Sequence, residues 1–229
     1  MRGVKTAEEI SHIQHACKIT DDIFSAILTR IHSQMTEIQV RDMILVEIQK
    51  RKLIPSFPPI VTSSAHAGNA IHPESTNDHI SGFVIIDLGV VYKGYCSDMT
   101  RTMYVGSPTG KEISYYNRVL KAKILAESVA LPGVRTSYPD MCARESLKEL
   151  NSYFIHTLGH GVGKKIHEFP KLYKKYNRFY LRENMVITIE PGIYIPNTLG
   201  IRIEDTGIVT KNGFKSLTHS IQDLVIIPN

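Results

Sequence analysis

Three short boxes fix where helices must begin in this chain. Thr6 is followed three residues on by Glu9, Thr36 by Gln39, and Thr109 by Glu112. In such a box the threonine hydroxyl caps the third backbone N–H while the acid or amide reaches back to the threonine's own N–H. Behind the first box, Ile10, Ile13, Cys17, Phe24, Ile27 and Ile31 recur at helical spacing, which predicts an amphipathic helix. Behind the second, "EIQVRDMILVEIQKR" predicts another, stopped by the prolines of "IPSFPPIV", whose rings remove an N–H and clash with the preceding turn. An extended segment rich in Ser, Ala, His and Asn (62–79) is expected next, then the strand pair "IIDLGVVYKGYCSDMTRT", turning at Lys93-Gly94.

The same order recurs. The third box opens a long helix through "KEISYYNRVLKAKILAESVAL", ended by Pro132-Gly133, and "PDMCARESLKEL" reads as a shorter one. After a Gly/His loop come two β-rich runs, "NMVITIEPGIYIP" and "GIRIEDTGIVT", separated by the turn "NTLG". Helix, helix, strand pair, twice over, predicts an α+β fold: a largely antiparallel sheet with helices on one side and a pseudo-two-fold relation between halves. No low-complexity linker divides the halves, so residues 1–229 are expected to form a single domain.

Composition narrows the function. With 42% hydrophobic and 21% charged residues over 229 positions, the chain has globular statistics and the length for a sizeable core. It has no apolar run of about eighteen residues, the length that crosses a bilayer. The start, "MRGVKTAEEISHIQ", carries charges where a secretory signal needs its apolar stretch. A cytoplasmic location without a membrane partner is expected. Cys17, Cys96 and Cys142 are an odd number without metal-type spacing, and read as reduced thiols. The net charge of +5 and the stretch "KLYKKYNRFYLR" (171–182) would suit a single-strand nucleic-acid groove. No nucleic-acid motif accompanies them, so the stretch reads as a solvated basic loop.

The strand of the first pair carries Asp87 directly after two isoleucines, and Asp98 follows the turn. With Lys93-Gly94 as a two-residue loop, Asp87 falls opposite Thr100 and Asp98 opposite Gly89. The two aspartates become diagonal neighbours on one face, about 7 to 8 Å apart between α-carbons, with Gly89 leaving room between them. Glu190, in "TIEPG", and Glu204, in "RIED", repeat the arrangement in the second half. Four acids beside apolar residues repel one another and are poorly hydrated. Arg101 or Arg202 could neutralise them, but a pair of divalent metal ions answers better, because each acid can chelate or bridge. His160 of "GHGVG" adds an imidazole.

These residues resemble the metallopeptidase family that contains methionine aminopeptidases, aminopeptidase P and prolidase, whose fold is called pita-bread. The resemblance runs from "VKTAEEISHI" to "IRIEDTGIV". It places the family's five metal ligands on Asp87, Asp98, His160, Glu190 and Glu204, through "YCSDMTRT", "GHGVG", "TIEPGIY" and "RIEDT". His156, four residues before the metal histidine in "HTLGHGVG", is similar to the Xaa-Pro-cleaving branch and unlike methionine aminopeptidases, as are "PGIY" and Arg202. His72 in "NAIHP" and His167 in "KKIHEFP" match two further active-site histidines. The order "NAIHP" differs from the family's more usual "PH".

The resemblance implies hydrolysis of the first peptide bond of short peptides, with proline second. Two divalent ions, Mn, Co or Fe with Zn also allowed, lower the pKa of a water. Asp98 and Glu204 bridge the ions, Asp87 chelates one, and His160 and Glu190 complete the other. Glu190 also shuttles the proton. His72 and His167 donate to the tetrahedral intermediate, and His156 and Arg202 line the proline side. Xaa-Pro enzymes usually carry a separate N-terminal domain that shapes the cleft and helps build the oligomer. This sequence starts almost at the first catalytic helix, so the catalytic domain alone is expected, with room for a homo-oligomer. The rival readings are a methionine aminopeptidase, and a member of the fold that binds without catalysing.

Overall fold

All three boxes close reciprocally in the computed structural model, which describes residues 3–229. The first starts α1 (Ala7–Leu28), where the Thr6 amide donates to Glu9 Oε2 at 2.8 Å and the Glu9 amide donates to Thr6 Oγ1 at 3.3 Å. The second starts α2 (Glu37–Lys50). Then follow β1 (Ile54–Pro55), β2 (Ile60–Ser63) and α3 (Ser64–Asn69), and after them β3 (Gly82–Leu88), β4 (Val90–Tyr92), β5 (Tyr95–Cys96) and β6 (Met99–Val105). The second half opens with α4 (Gly110–Ser128), α5 (Tyr138–Leu147) and a 3₁₀ turn over Lys148–Tyr153. It continues with β7 (Gly159–Gly161), β8 (Glu168–Leu172), β9 (Val186–Ile189), β10 (Gly192–Ile195), β11 (Leu199–Arg202) and β12 (Asp205–Thr210). The last strands are β13 (Gly213–Ser216) and β14 (Ile226–Ile227).

The register expected from the Lys-Gly turn is the register found. Lys93 and Gly94 both have positive φ, 48° and 83°, which matches the right-handed twist of the flanking strands. Tyr92 pairs with Tyr95, Leu88 with Met99, and Asp87 with Thr100. The strand pair is nevertheless not one ladder. It splits at Gly89, where β3 and β6 enter a four-stranded sheet (order β14-β6-β3-β2) while β4 and β5 join β1. The reason is close backbone contact: a Cβ on Gly89 would lie 2.0 Å from the Ser97 carbonyl oxygen. Gly89 therefore admits the neighbouring chain, and the expected role of leaving space between carboxylates is corrected accordingly.

Two other segments depart from expectation. Residues 62–79 are not extended throughout, because after β2 the backbone turns through Ser64, at φ 50°, into the short helix α3. The expected Gly/His loop contains the antiparallel pair β7 and β8, which belongs to a five-stranded sheet of order β13-β12-β9-β7-β8. Among the described residues the only parallel pairing is β14 with β6.

Each helical pair seals one half. Ile23, Phe24 and Ile27 of α1 and Val40, Ile44 and Ile48 of α2 pack with Val61, Val84, Ile86 and Met103 of the first sheet. Tyr116, Val119 and Ala122 of α4 and Ala143 and Leu147 of α5 pack with Ile187, Ile189 and Ile201. Burial of such surfaces contributes about 25 cal/mol per Å² of apolar area. Cys17 and Cys96 are buried free thiols and Cys142 is a half-buried one. The basic stretch after β8 is exposed from Lys174 to Tyr180, with the Arg135 guanidinium 5.1 Å over the Tyr180 ring. No described helix is long and apolar enough to cross a membrane.

Candidate metal centre

The central hairpins of the two halves deliver acids to the same place. Asp87 is the penultimate residue of β3 and Asp98 immediately precedes β6, while Glu190 immediately follows β9 and Glu204 immediately precedes β12. His160 is the middle residue of β7. Strand pairing fixes these positions, since β3 is held by β6 and β9 by β12. The Glu190 amide donates to the Leu158 carbonyl at 2.8 Å, which keeps that residue beside His160.

The five side chains converge. His160 Nε2 lies 3.3 Å from Glu190 Oε1 and 3.5 Å from Asp98 Oδ2. Asp98, His160 and Glu204 each offer a ligand atom within 4.8 Å of the others. The other ring nitrogen, Nδ1, donates to the Gly161 carbonyl at 3.1 Å. In the neutral ring that leaves the Nε2 lone pair facing the carboxylates, the orientation a metal-ligating histidine adopts.

The electrostatics show what the group lacks. Burial, then the charges of Glu204, Asp87 and Glu190, push the Asp98 carboxyl well above its ordinary range. Burial and the charges of Glu190 and Asp87 do the same to Glu204. Asp87 also rises, mainly through burial and against the pull of the Arg202 guanidinium. Glu190 differs: burial raises it, but the His160 hydrogen bond and the charges of His160, His156 and Arg202 together bring it down to about 2. Burial lowers His160, yet the bond to Glu190 and that residue's charge carry it above the ordinary imidazole value. Asp87 Oδ1 and Glu204 Oε1 are buried with no hydrogen-bond partner. Unpartnered carboxylate oxygens at such depth are costly, and a divalent cation satisfies them. The donor set fits one.

His72 and His167 stand on the wall of the same cavity, of about 620 Å³, whose apolar side includes Phe57, Ile60 and Ile166. His167 lies in the turn between β7 and β8, its ring centroid 4.3 Å from that of His160, and His72 follows α3. Partial loss of hydration at the cavity wall is the main cause that lowers both pKa values.

Arg202 and His156 are absent from that wall. Arg202 is 1% exposed. Its Nη2 donates to Asp87 Oδ2 at 2.7 Å, Nη1 to the Tyr194 hydroxyl at 2.7 Å and the Ile71 carbonyl at 3.2 Å, and Nε to Thr100 Oγ1 at 3.1 Å. The expectation that Arg202 lines a proline pocket is thus corrected: its guanidinium is fully engaged behind Asp87. His156 joins the same chain. Its Nδ1 donates to the Thr157 carbonyl at 2.8 Å, and its Nε2 lies 3.1 Å from the Tyr194 hydroxyl. Tyr194 accepts from Arg202, so its own proton points to a neutral His156, whose pKa burial lowers to about 4. Arg101, the other candidate counter-charge, instead donates to Asp205 Oδ1 at 2.7 Å and to the Glu204 carbonyl at 2.5 Å.

Sequence reasoning missed three hydroxyls. Thr100 Oγ1 donates to Glu204 Oε2 at 2.6 Å. Thr188 Oγ1 donates to Glu190 Oε1 at 3.1 Å and accepts from the His160 amide at 3.0 Å. Tyr194 links His156 to Arg202. Only Thr100 carried a signal, its expected pairing with Asp87.

The model of Metallopeptidase family M24 matches residues 11–211. The chain is 42% identical to the Xaa-Pro dipeptidase of Pyrococcus furiosus, over 98% of its own length and 66% of that protein. It is 39% identical to the Xaa-Pro dipeptidase of Lactobacillus helveticus, over 100% of its length and 63% of that protein. Among solved structures it is similar to a prolidase from Pyrococcus horikoshii, with a TM-score of 0.93 at 40% identity, covering 98% of this chain and 66% of that one. An X-Pro aminopeptidase from Thermotoga maritima gives 0.94 at 31% identity, covering 99% and 65%. The architecture is therefore that of the prolidases, the pita-bread fold, and the chain spans about two thirds of the length of these relatives.

Proposed function

The chain belongs to metallopeptidase family M24, and we propose on that premise that it hydrolyses the N-terminal peptide bond of short peptides whose second residue is proline. The observation that carries the reading is the convergence of Asp87, Asp98, His160, Glu190 and Glu204 around two partnerless buried carboxylate oxygens. These five residues would hold two divalent ions between them. Bound there, the ions supply Lewis acidity and lower the pKa of a water molecule. Four oxygen donors to one imidazole suit manganese, iron or cobalt.

The chain's own residues do the rest. Glu190, held ionised by His160, accepts the proton of the attacking water and returns it to the leaving amine. His72 and His167 face the cavity with lowered pKa values, so that neutral imidazole N–H groups donate to the carbonyl oxygen as it gains charge. Phe57 and Ile60 offer an apolar wall to the substrate side chain. Residues 1–229 act as one catalytic unit in this reading. The free thiols Cys17, Cys96 and Cys142 support a reducing, cytoplasmic setting.

The test is a paired peptide assay. Metal-stripped protein reloaded with Mn²⁺ or Co²⁺ is offered Xaa-Pro peptides and Met-Ala-Xaa peptides, and the free N-terminal residue is measured. Release before proline is expected. Release of methionine alone would assign the methionine aminopeptidase activity instead, and cleavage of neither by metal-loaded protein would sink the peptidase reading.

A further inference from the structure

Glu37 is an acid with no place in the chemistry, yet it is 1% exposed. It is the first residue of α2, and its carboxylate accepts from both sides. Oε1 takes the Ser63 amide at 2.6 Å and the Ser63 hydroxyl at 3.1 Å. Oε2 takes the Thr76 amide at 2.9 Å and the Thr76 hydroxyl at 3.1 Å. His66 Nδ1 lies 2.9 Å from Oε2. The backbone of the same turn adds two bonds, from the Glu37 amide to the Asp78 carbonyl at 3.2 Å and from the Ile38 amide to the Thr76 carbonyl at 3.0 Å. A buried carboxylate with this many donors fixes whatever carries them.

What it fixes is the segment that bears His72. Upstream, the Ile71 carbonyl is held by Arg202, the residue that also holds Asp87. Downstream, Thr76 is held by Glu37. Ser63, on the other oxygen, ends β2, which pairs with β3 so that Ile60 faces Asp87. His72 itself is an exposed side chain, so the backbone clamps at Ile71 and Thr76 set where its ring stands relative to the acids.

We propose that Glu37 is a positioning residue for His72, its carboxylate holding the 71–78 segment so that the imidazole faces the reacting carbonyl. This rests on the peptidase reading for the role of His72, and on geometry alone for the clamp. Loss of the clamp displaces a catalytic group without removing it, and a displacement of about 1 Å can cost on the order of a hundredfold in rate. Glu37→Gln breaks one arm only, because its NH₂ must face either the Ser63 or the Thr76 amide, donor against donor.

The experiment is a double-mutant cycle in the metal-loaded protein with Glu37→Gln, His72→Ala and both, read as kcat and KM on an Xaa-Pro peptide. Hydrogen exchange over residues 70–79 is measured on the same samples. Glu37→Gln is expected to lower kcat about tenfold or more with KM changed less than about twofold, and to add no further loss once His72 is absent. Exchange over 70–79 is expected to quicken while α1 and α4 keep their protection. Losses that multiply would overturn the proposal, as would unchanged exchange. Should Glu37→Gln fail to fold, Thr76→Ala, which removes one donor on the loop side, takes its place in the cycle under the same criteria. If the wild-type protein cleaves no peptide, the peptidase reading fails, and the exchange measurement still decides whether Glu37 holds the segment.

Discussion

Arg202 Nη2 donates to Asp87 Oδ2 at 2.7 Å, both side chains almost fully withdrawn from water. One comes from β11 and the other from β3, so this ion pair joins the two halves at the base of the acidic cluster. It leaves Asp87 Oδ1 as the oxygen without a partner. A buried pair broken on one side strands the other charge, at about 3 to 5 kcal/mol. Arg202→Met is therefore expected to destabilise the metal-free protein by about that amount, and bound divalent metal to recover part of it by neutralising Asp87. Chemical denaturation with and without Mn²⁺ measures both. A loss below about 1 kcal/mol would show the pair to be dispensable.

Chelation tests the cluster as a whole. An ion that binds the folded chain and not the unfolded one stabilises by about 2.7 kcal/mol at a hundredfold excess over Kd. Dialysis against a chelator, with metal loss verified by elemental analysis, is expected to lower the melting temperature. An unaltered melting curve would contradict the convergence of buried, mutually repelling acids.

Glu190→Gln separates chemistry from architecture. The residue sits on the loop after β9, anchored through its backbone to Leu158, so its amide analogue keeps the fold. Hydrolysis of an Xaa-Pro peptide is expected to fall by at least about a hundredfold while far-UV circular dichroism stays unchanged. Turnover close to wild type would remove Glu190 from the mechanism.

Away from the site, Glu47 on α2 should make stability depend on acid. Hydrogen bonds from Lys50 and Arg51, against some loss of hydration, and one from Arg30 bring its carboxyl down to about 2. A depressed folded-state value means that the stabilisation is present above the ordinary glutamate range and is lost as pH falls through that range toward about 2. Glu47→Gln is expected to be less stable than wild type at neutral pH, the gap closing in acid. A gap independent of pH would show packing, not charge, to be the cause.

How much of this was legible in the sequence follows the range of the forces involved. The capping boxes at Thr6, Thr36 and Thr109 are contacts across three residues, and each stands where expected. Asp87 opposite Thr100 followed from a two-residue turn, again a local rule. The helix at Ser64–Asn69 was missed because it is too short for periodicity to register. The strand β7 was hidden by glycines whose β conformation comes from pairing with distant β9, and β8, which carries Pro170, is a strand through its pairing with β7. Arg202 was assigned to the pocket because the arginine of "RIED" resembles the Xaa-Pro branch. Which way its guanidinium turned depended on Tyr194, Thr100 and Asp87, and no pattern along the chain brings those together. The same holds for Glu37, an ordinary first-turn acid in sequence that becomes a clamp only once Thr76 and Ser63 arrive beside it.

Asp205 draws a last consequence. Buried at the start of β12, it takes Arg101 from β6 at 2.7 Å, Lys123 from α4 at 2.5 Å and the Thr218 hydroxyl at 2.7 Å. With Thr100 on Glu204 and Arg202 on Asp87, polar ties run in both directions between the two halves, and apolar clusters such as Ile13 and Cys17 with Val162 and Val186 also draw on both. A polypeptide cut in the turn between β6 and α4 would yield pieces that each hide a charge meant for the other, Asp87 and Arg101 on one and Arg202 and Asp205 on the other. Separation would strand those charges away from water, so the two halves are expected to melt in one calorimetric step.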